Sequence, residues 1–278
     1  MKLIVYSLND PAGLNIINCI LSMVDYEEKK MGDDYPFYDC GNFGIVGIKE
    51  RLIYADYVDE KLSKYLNFSE ILFASRHSSK DGRKILTVHT TGNVSTADFG
   101  GKPYSVAMPA PHTIKNFALW LKDEMAKLEG YEFTMEATHH GPSEIKTPSA
   151  FFEIGSTEDE WKDEDAAMCV AKSMLKTIED DRKWRVALGI GGTHYAPRQT
   201  EILLETTFTF SHIFAKYTFE GLSSDFLKEV IQLGRSDWII YDDKSTTSPV
   251  KKMLSELAEE LGLELLKAKH AKKYKLNK

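Results

Sequence analysis

Short apolar runs alternate along this chain with longer stretches of helical periodicity. Residues 2–8 form a strand-like run stopped by Asn9-Asp10-Pro11-Ala12-Gly13, and the spacing over 15–23 predicts a helix behind it. The ranges 38–49 and 52–57 predict strands, the first weakened by Gly41, Gly44 and Gly47. Strands are predicted again over 70–75 and 85–89. The range 112–128 predicts a helix with Ile114, Phe117, Ala118, Leu121 and Met125 on one face. Then come a strand over 133–138, a helix over 163–178, a strand over 184–190 and a helix from Pro197 to Leu204. A late strand (238–241) and a late helix (250–261) complete the pattern. Phe208, Phe210, Phe214, Tyr217 and Phe219 read as a buried strand or helix, not as a base-stacking platform. Strands alternating with helices predict an α/β fold with a largely parallel sheet covered on both faces. With no repeat and no dividing linker, 1–266 reads as one α/β catalytic domain with insertions and 267–278 as a basic tail.

Composition narrows the class. The chain has 278 residues, of which 42% are hydrophobic and 28% charged, the balance of a globular protein with a sizeable core. No apolar run approaches the roughly 18–20 residues that span a bilayer, so no membrane partner is expected. The first strand begins at Lys2, which leaves no room for a signal peptide and predicts a cytoplasmic location. Cys19, Cys40 and Cys169 are odd in number and show no CxxC spacing, which argues against a disulfide framework or a cysteine zinc site. A net charge of −7 argues against DNA and against broad nucleic-acid binding through many phosphates. The tail departs from that balance, with Lys267, Lys269, Lys272, Lys273, Lys275, Lys278 and His270 and no acid. It is either a solvated terminus or a local phosphate-contacting segment.

The chemistry concentrates in histidines. His77, His89, the pair His139-His140 and His194 each follow a strand run, and ligands in open α/β sheets bind beyond the carboxyl ends of the strands. One such histidine is usually structural; four strand ends bearing histidine point to a single polar site, provided the strands are parallel neighbours. Zinc takes three or four His, Asp or Glu ligands and keeps a position open for water. Glu136, His139, His140 and His194 supply such a set, with His77 or His89 in addition, although no HExxH helix is present. In Gly191-Gly192-Thr193-His194 the glycines allow close backbone approach, and Pro197 suits the first position of a helix. The free amides at that end favour an oxyanion, and Arg198 a phosphate. Neither a Walker A loop nor a GxGxxG fingerprint is present. The loops Ser75-Arg76-His77-Ser78-Ser79 and Thr90-Thr91-Gly92-Asn93 offer hydroxyls, but without a GxSxG elbow an activated water is the better nucleophile. Phe99-Gly100-Gly101-Lys102-Pro103 is either a loop that orients a ligand or a plain surface turn.

These motifs closely resemble the archaeal-type D-aminoacyl-tRNA deacylases, a family shared with plants. The matching stretches run in order along nearly the whole chain: Ser7-Leu8-Asn9-Asp10-Pro11-Ala12-Gly13-Leu14-Asn15, Ser75-Arg76-His77, 86–93, 136–142, Glu153-Ile154-Gly155-Ser156-Thr157 and 189–198. The resemblance implies a zinc hydrolase with a three-layer α/β/α, phosphorylase/hydrolase-like core and a mixed, mostly parallel sheet. It further implies cleavage of the ester joining a D-amino acid to the 3′ end of tRNA. For that reaction the expected catalytic residues are His194, Glu136 and His89. The expected substrate contacts are Arg76, Thr90, Gly191, Gly192, Thr193 and Arg198, and the expected zinc ligands His77, His139, His140 and His194. The acidic chain would touch only the acceptor end, and would act as a monomer. A zinc-dependent exopeptidase or amidohydrolase, and a non-catalytic RNA-binding module with structural histidines, are the competing readings.

Overall fold

Two sheets meet at their edges. In the computed structural model, which describes residues 1–32 and 35–276, the first part of the chain forms β1 (Lys2–Ser7), α1 (Pro11–Leu21), β2 (Glu27–Met31), β3 (Tyr35–Asp39), β4 (Phe43–Ile48), α2 (Val58–Leu62), β5 (Glu70–Arg76) and β6 (Ile85–His89). The small hairpin β7 (Gly92–Asn93) and β8 (Ser105–Val106) precedes α3 (Pro111–Glu124), β9 (Glu132–Met135), β10 (Ser149–Gly155), α4 (Glu158–Trp161) and α5 (Glu164–Ile178). The rest comprises β11 (Arg185–Ile190), α6 (Pro197–Glu205), β12 (Phe208–Phe214), α7 (Ser224–Gly234), β13 (Trp238–Tyr241), α8 (Ser248–Leu261), β14 (Glu264–Lys267) and α9 (Ala268–Ala271). The large sheet has the order β2-β3-β4-β1-β5-β10-β6-β9, and the small one β12-β11-β13-β14. Every pairing in the small sheet is parallel. The large sheet is mixed: β4-β1-β5-β10 and β6-β9 are parallel, whereas β10 and β6 run antiparallel.

Strand alternation creates the layers. Leu3, Val5, Ile71 and Phe73 pack with Leu52, Val58 and Leu62 on one face, while Ile4, Tyr6, Leu72 and Ala74 pack on the other against α1, α3 and α5. In the small sheet Leu188, Ile190, Ile239 and Tyr241 meet α7 and α8, and Ala187 and Ile240 face the side of α6. Each large apolar side chain fully buried in these layers contributes about 1.5–3 kcal/mol. Helices thus cover both sides, giving the α/β architecture with a mixed, mostly parallel sheet. Among the described residues no helix is long and apolar enough to cross a membrane.

Three local expectations are corrected. The range 38–49 is two strands of an antiparallel hairpin, β3 and β4, because Gly41 turns the chain at a φ of 83°. The range 52–57 is no strand. It coils into a 3-10 turn (Leu52–Tyr54) that buries Leu52, with Tyr54 N–H donating to Arg51 O and Ala55 N–H to Leu52 O. Central strand β10, wholly buried, was not anticipated. The basic segment is built into the fold as far as it is described. Lys267 closes β14, Lys272 pairs with Glu201, and the Tyr274 ring lies 5.0 Å from Phe208. Lys278 lies outside the described residues.

Candidate active site

The sheets are stitched together where the histidines lie. Beyond Met135 the chain leaves the large sheet, and Glu136 N–H still donates to Val88 O, but Ala137 N–H donates to His194 O and Thr138 N–H to Ile213 O. These bonds carry His194, which follows a strand of the small sheet, to His139 and His140. Ring centroids are 4.5 Å apart for His139–His194, 4.3 Å for His139–His140 and 4.6 Å for His89–His139. His77, His139, His140 and His194 line one cavity of about 400 Å³ with Arg76, Glu153 and Phe99. The expected convergence holds, though not through equivalent strand ends. Because β6 is antiparallel to β10, His89 pairs with Phe151 midway along β10, and it reaches the cluster from behind.

Two carboxylates organise the imidazoles. Glu136 is fully buried; its Oε2 accepts from His194 Nε2 at 2.8 Å, and its Oε1 lies 3.0 Å from His77 Nδ1 without an aligned hydrogen bond. Burial alone would raise its pKa, but His194 and His77 outweigh it and hold the carboxyl well below its ordinary range. Glu153 Oε2 accepts from Thr87 Oγ1 at 3.1 Å and lies 3.5 Å from His89 Nε2 and 3.8 Å from His77 Nδ1. Burial opposes protonation of His77 and His89, yet Glu136 and Glu153 respectively raise both above the ordinary imidazole value. His139 and His140 behave oppositely. Burial, then the neighbouring imidazoles, holds His139 well below that value and takes His140 down to about 4.

This chemistry suits a metal. His139 Nδ1 bonds Ala137 O at 2.8 Å, His140 Nδ1 bonds Gly141 O at 2.6 Å and His89 Nδ1 bonds Thr90 O at 3.4 Å. A backbone carbonyl on Nδ1 fixes the tautomer and leaves Nε2 with its lone pair, the usual outer support of a metal-binding histidine. His140 holds this pose at a φ of 46°, a left-handed conformation that costs a non-glycine residue on the order of 1–3 kcal/mol. His89 Nε2 and Glu136 Oε1 are buried without a hydrogen-bond partner among the described residues. Among the described residues, three groups bring ligand atoms within 4.8 Å of one another: His89–His139–His140, Glu136–His139–His194 and His77–Glu136–Glu153.

The remaining expected residues divide. Arg76 lines the cavity, its guanidinium 4.9 Å from the Trp161 ring and its amide bonded to the Asp10 carboxylate that caps α1. Thr90 is buried behind the wall, while Thr193 is exposed and borders a different depression. Gly191 N–H donates to Phe214 O and Gly192 N–H to Ser245 Oγ, so neither amide is free for an oxyanion. Arg198 pairs with Glu201 at 2.5 Å and does not line the cavity. Glu153 was not among the expected site residues, and neither was Tyr217, whose hydroxyl lies 3.2 Å from His194 Nδ1. A lone carboxylate inside the apolar run Ala150-Phe151-Phe152-Glu153-Ile154 is the signal that points to Glu153, since a buried charge requires a partner.

An α/β scaffold that gathers buried carboxylates and imidazoles at a cavity has the groups of an enzyme site built for acid–base or metal-assisted chemistry. The chain belongs to the D-aminoacyl-tRNA deacylase family, whose model matches residues 64–266. It is similar to a D-aminoacyl-tRNA deacylase of Archaeoglobus fulgidus, 59% identical over 98% of both chains. It is also similar to one of Pyrococcus abyssi, 38% identical over 96% of this chain and 100% of that one. A crystal structure titled a conserved protein of unknown function superposes with a TM-score of 0.98 at 58% identity, covering 100% of this chain and 99% of that one. Family membership makes this chain an enzyme and sets aside the non-catalytic RNA-binding reading.

Proposed function

We propose that the chain hydrolyses the ester between a D-amino acid and the 3′ end of tRNA, with zinc held by His89, His139 and His140. The carrying observation is the set of three imidazoles whose Nδ1 atoms meet backbone carbonyls and whose ligand nitrogens gather within 4.8 Å of one another. Zinc there would supply Lewis-acid activation of water and polarisation of the ester carbonyl. Proton transfer falls to His194, the one of the three expected catalytic residues that reaches the cavity. The anionic Glu136 holds His194 Nε2–H, so Nδ1, beside the Tyr217 hydroxyl, is the nitrogen that exchanges a proton. It takes the proton from the attacking water and returns it to the ribose oxygen that leaves. Glu136 and His89, behind the wall, orient and bind; they do not carry the proton. His77, whose Nε2 bonds Tyr195 OH at 3.1 Å, supports Glu136. Arg76 meets an acceptor-end phosphate. The same reading takes 1–266 as the catalytic domain of a cytoplasmic monomer.

The test is deacylation of D- and L-tyrosyl-tRNA by the purified protein before and after chelation, with zinc added back. Selective loss of the D-ester, abolished by the chelator and restored by zinc, is expected. Inertness towards the D-ester overturns the substrate, and full activity with no bound metal overturns the zinc.

A further inference from the structure

The outer rim of the cavity has no part in the chemistry above, yet it is built with care. We infer that Phe99, Tyr54 and Arg51 form a stacking platform for the unpaired bases at the 3′ end of the tRNA, an inference that rests on the substrate proposed above. Phe99 is 66% exposed and nevertheless lines the cavity together with Arg51 and Ile53. Its loop is stitched down. Gly141 N–H, next to His140, donates to Phe99 O at 3.0 Å, Asn93 Nδ2 donates to Gly100 O at 2.8 Å, and Lys102 N–H donates to Ser143 Oγ at 2.8 Å. A Cβ at Gly100 would stand 1.9 Å from Ile53 O and 3.0 Å from the Tyr54 ring, so this loop lies directly on the 51–54 segment. Tyr54 is itself 53% exposed, and the Arg51 guanidinium lies 5.8 Å from its ring centroid. The rim therefore carries two exposed aromatic rings and a cation on two adjoining segments.

A phenylalanine held in water at a cavity mouth by an ordered loop gains apolar burial when a ligand covers it. Flat aromatic faces with an arginine suit nucleobases, which stack without regard to sequence. With a net charge of −7, phosphate contacts alone give this chain little hold on RNA, and stacking supplies what they do not. The connectivity of the substrate brings the bases to the cavity mouth, which Phe99 and Arg51 border. The scissile ester joins the amino acid to the terminal ribose, so with the ester at the histidines the nucleotide extends outward over the rim.

Phe99→Ala should raise KM for D-tyrosyl-tRNA about 5- to 140-fold, the usual worth of one stacked base, with kcat within about twofold. Tyr54→Ala should act in the same direction, and Phe99→Trp should restore KM. In Phe99→Trp the new indole also reports directly, and an RNA trinucleotide CCA should quench its fluorescence. Unchanged KM in Phe99→Ala, or no quenching by the trinucleotide, overturns the platform. The trinucleotide titration needs no turnover, so it reads the platform even if wild-type protein fails on D-tyrosyl-tRNA and the substrate reading falls.

Discussion

His139-His140 and Gly191–His194 are both histidine turns bounded by glycine and proline, and they end strands in different sheets. At the first turn two backbone carbonyls and a carboxylate serve the imidazoles: Ala137 O and Gly141 O take the Nδ1 protons, and Glu136 sits beneath. At the second, the polar groups serve the turn. Gly191 and Gly192 spend their amides on Phe214 and Ser245, and a Cβ at Gly191 would stand 2.7 Å from Ser245 Oγ. Gly191 is a packing requirement, and both glycines hold φ values of 93° and 85°, where a side chain would be strained. What this turn delivers is one side chain, His194, partly exposed and hinged between Glu136 and Tyr217. A fixed, neutral cluster is suited to hold a metal; a single imidazole between a carboxylate and a hydroxyl is suited to move a proton.

The largest effect should follow from breaking the first turn. His139 belongs both to the group with His89 and His140 and to the group with Glu136 and His194. His139→Ala should therefore abolish bound zinc and deacylation together, measured as zinc per protein and single-turnover rate on one preparation. Full zinc in this variant would place the metal elsewhere and dissolve the contrast between the turns.

His194→Ala sharpens the same contrast. The variant should keep its zinc and lose roughly 10²–10⁴-fold in kcat, the size of a general acid–base contribution. Loss of zinc here would make the second turn a ligand turn like the first. A near-normal rate would make His194 structural.

How much of this was legible depended on whether a signal was local. His77, His139, His140 and His194 show themselves by type and by following strand runs, and they share a cavity. The helices α3, α5 and α8 are legible from their periodicity. Glu153 left a signal, a lone carboxylate in an apolar run, but its histidine partners become visible only once β10 is seen between β5 and β6. The role of the second turn was misleading for a related reason: Gly191 and Gly192 look poised for a ligand, and only Ser245, 53 residues away from Gly192, shows where that amide goes. Sequence displays donors and acceptors; it does not display which are already spoken for.

The smallest effect should come from Arg198. Read along the chain, it matches Arg76 as a phosphate contact, since both stand next to a candidate histidine turn. In the fold Arg76 lines the cavity, whereas Arg198 turns to Glu201, which also holds Lys272. Exposed ion pairs of this kind contribute about 0–1 kcal/mol, so Arg198→Ala should leave KM and its salt dependence unchanged and lower Tm by no more than about 2–4 °C. Arg76→Ala should instead raise KM and reduce the salt slope by about one phosphate contact, near 0.7 on a log–log plot for a single strand. KM measured for both variants across a salt series decides between them. If Arg198→Ala flattens the slope as much as Arg76→Ala, the second turn touches the tRNA backbone, and the substrate path must cross α6 and not the rim above Phe99.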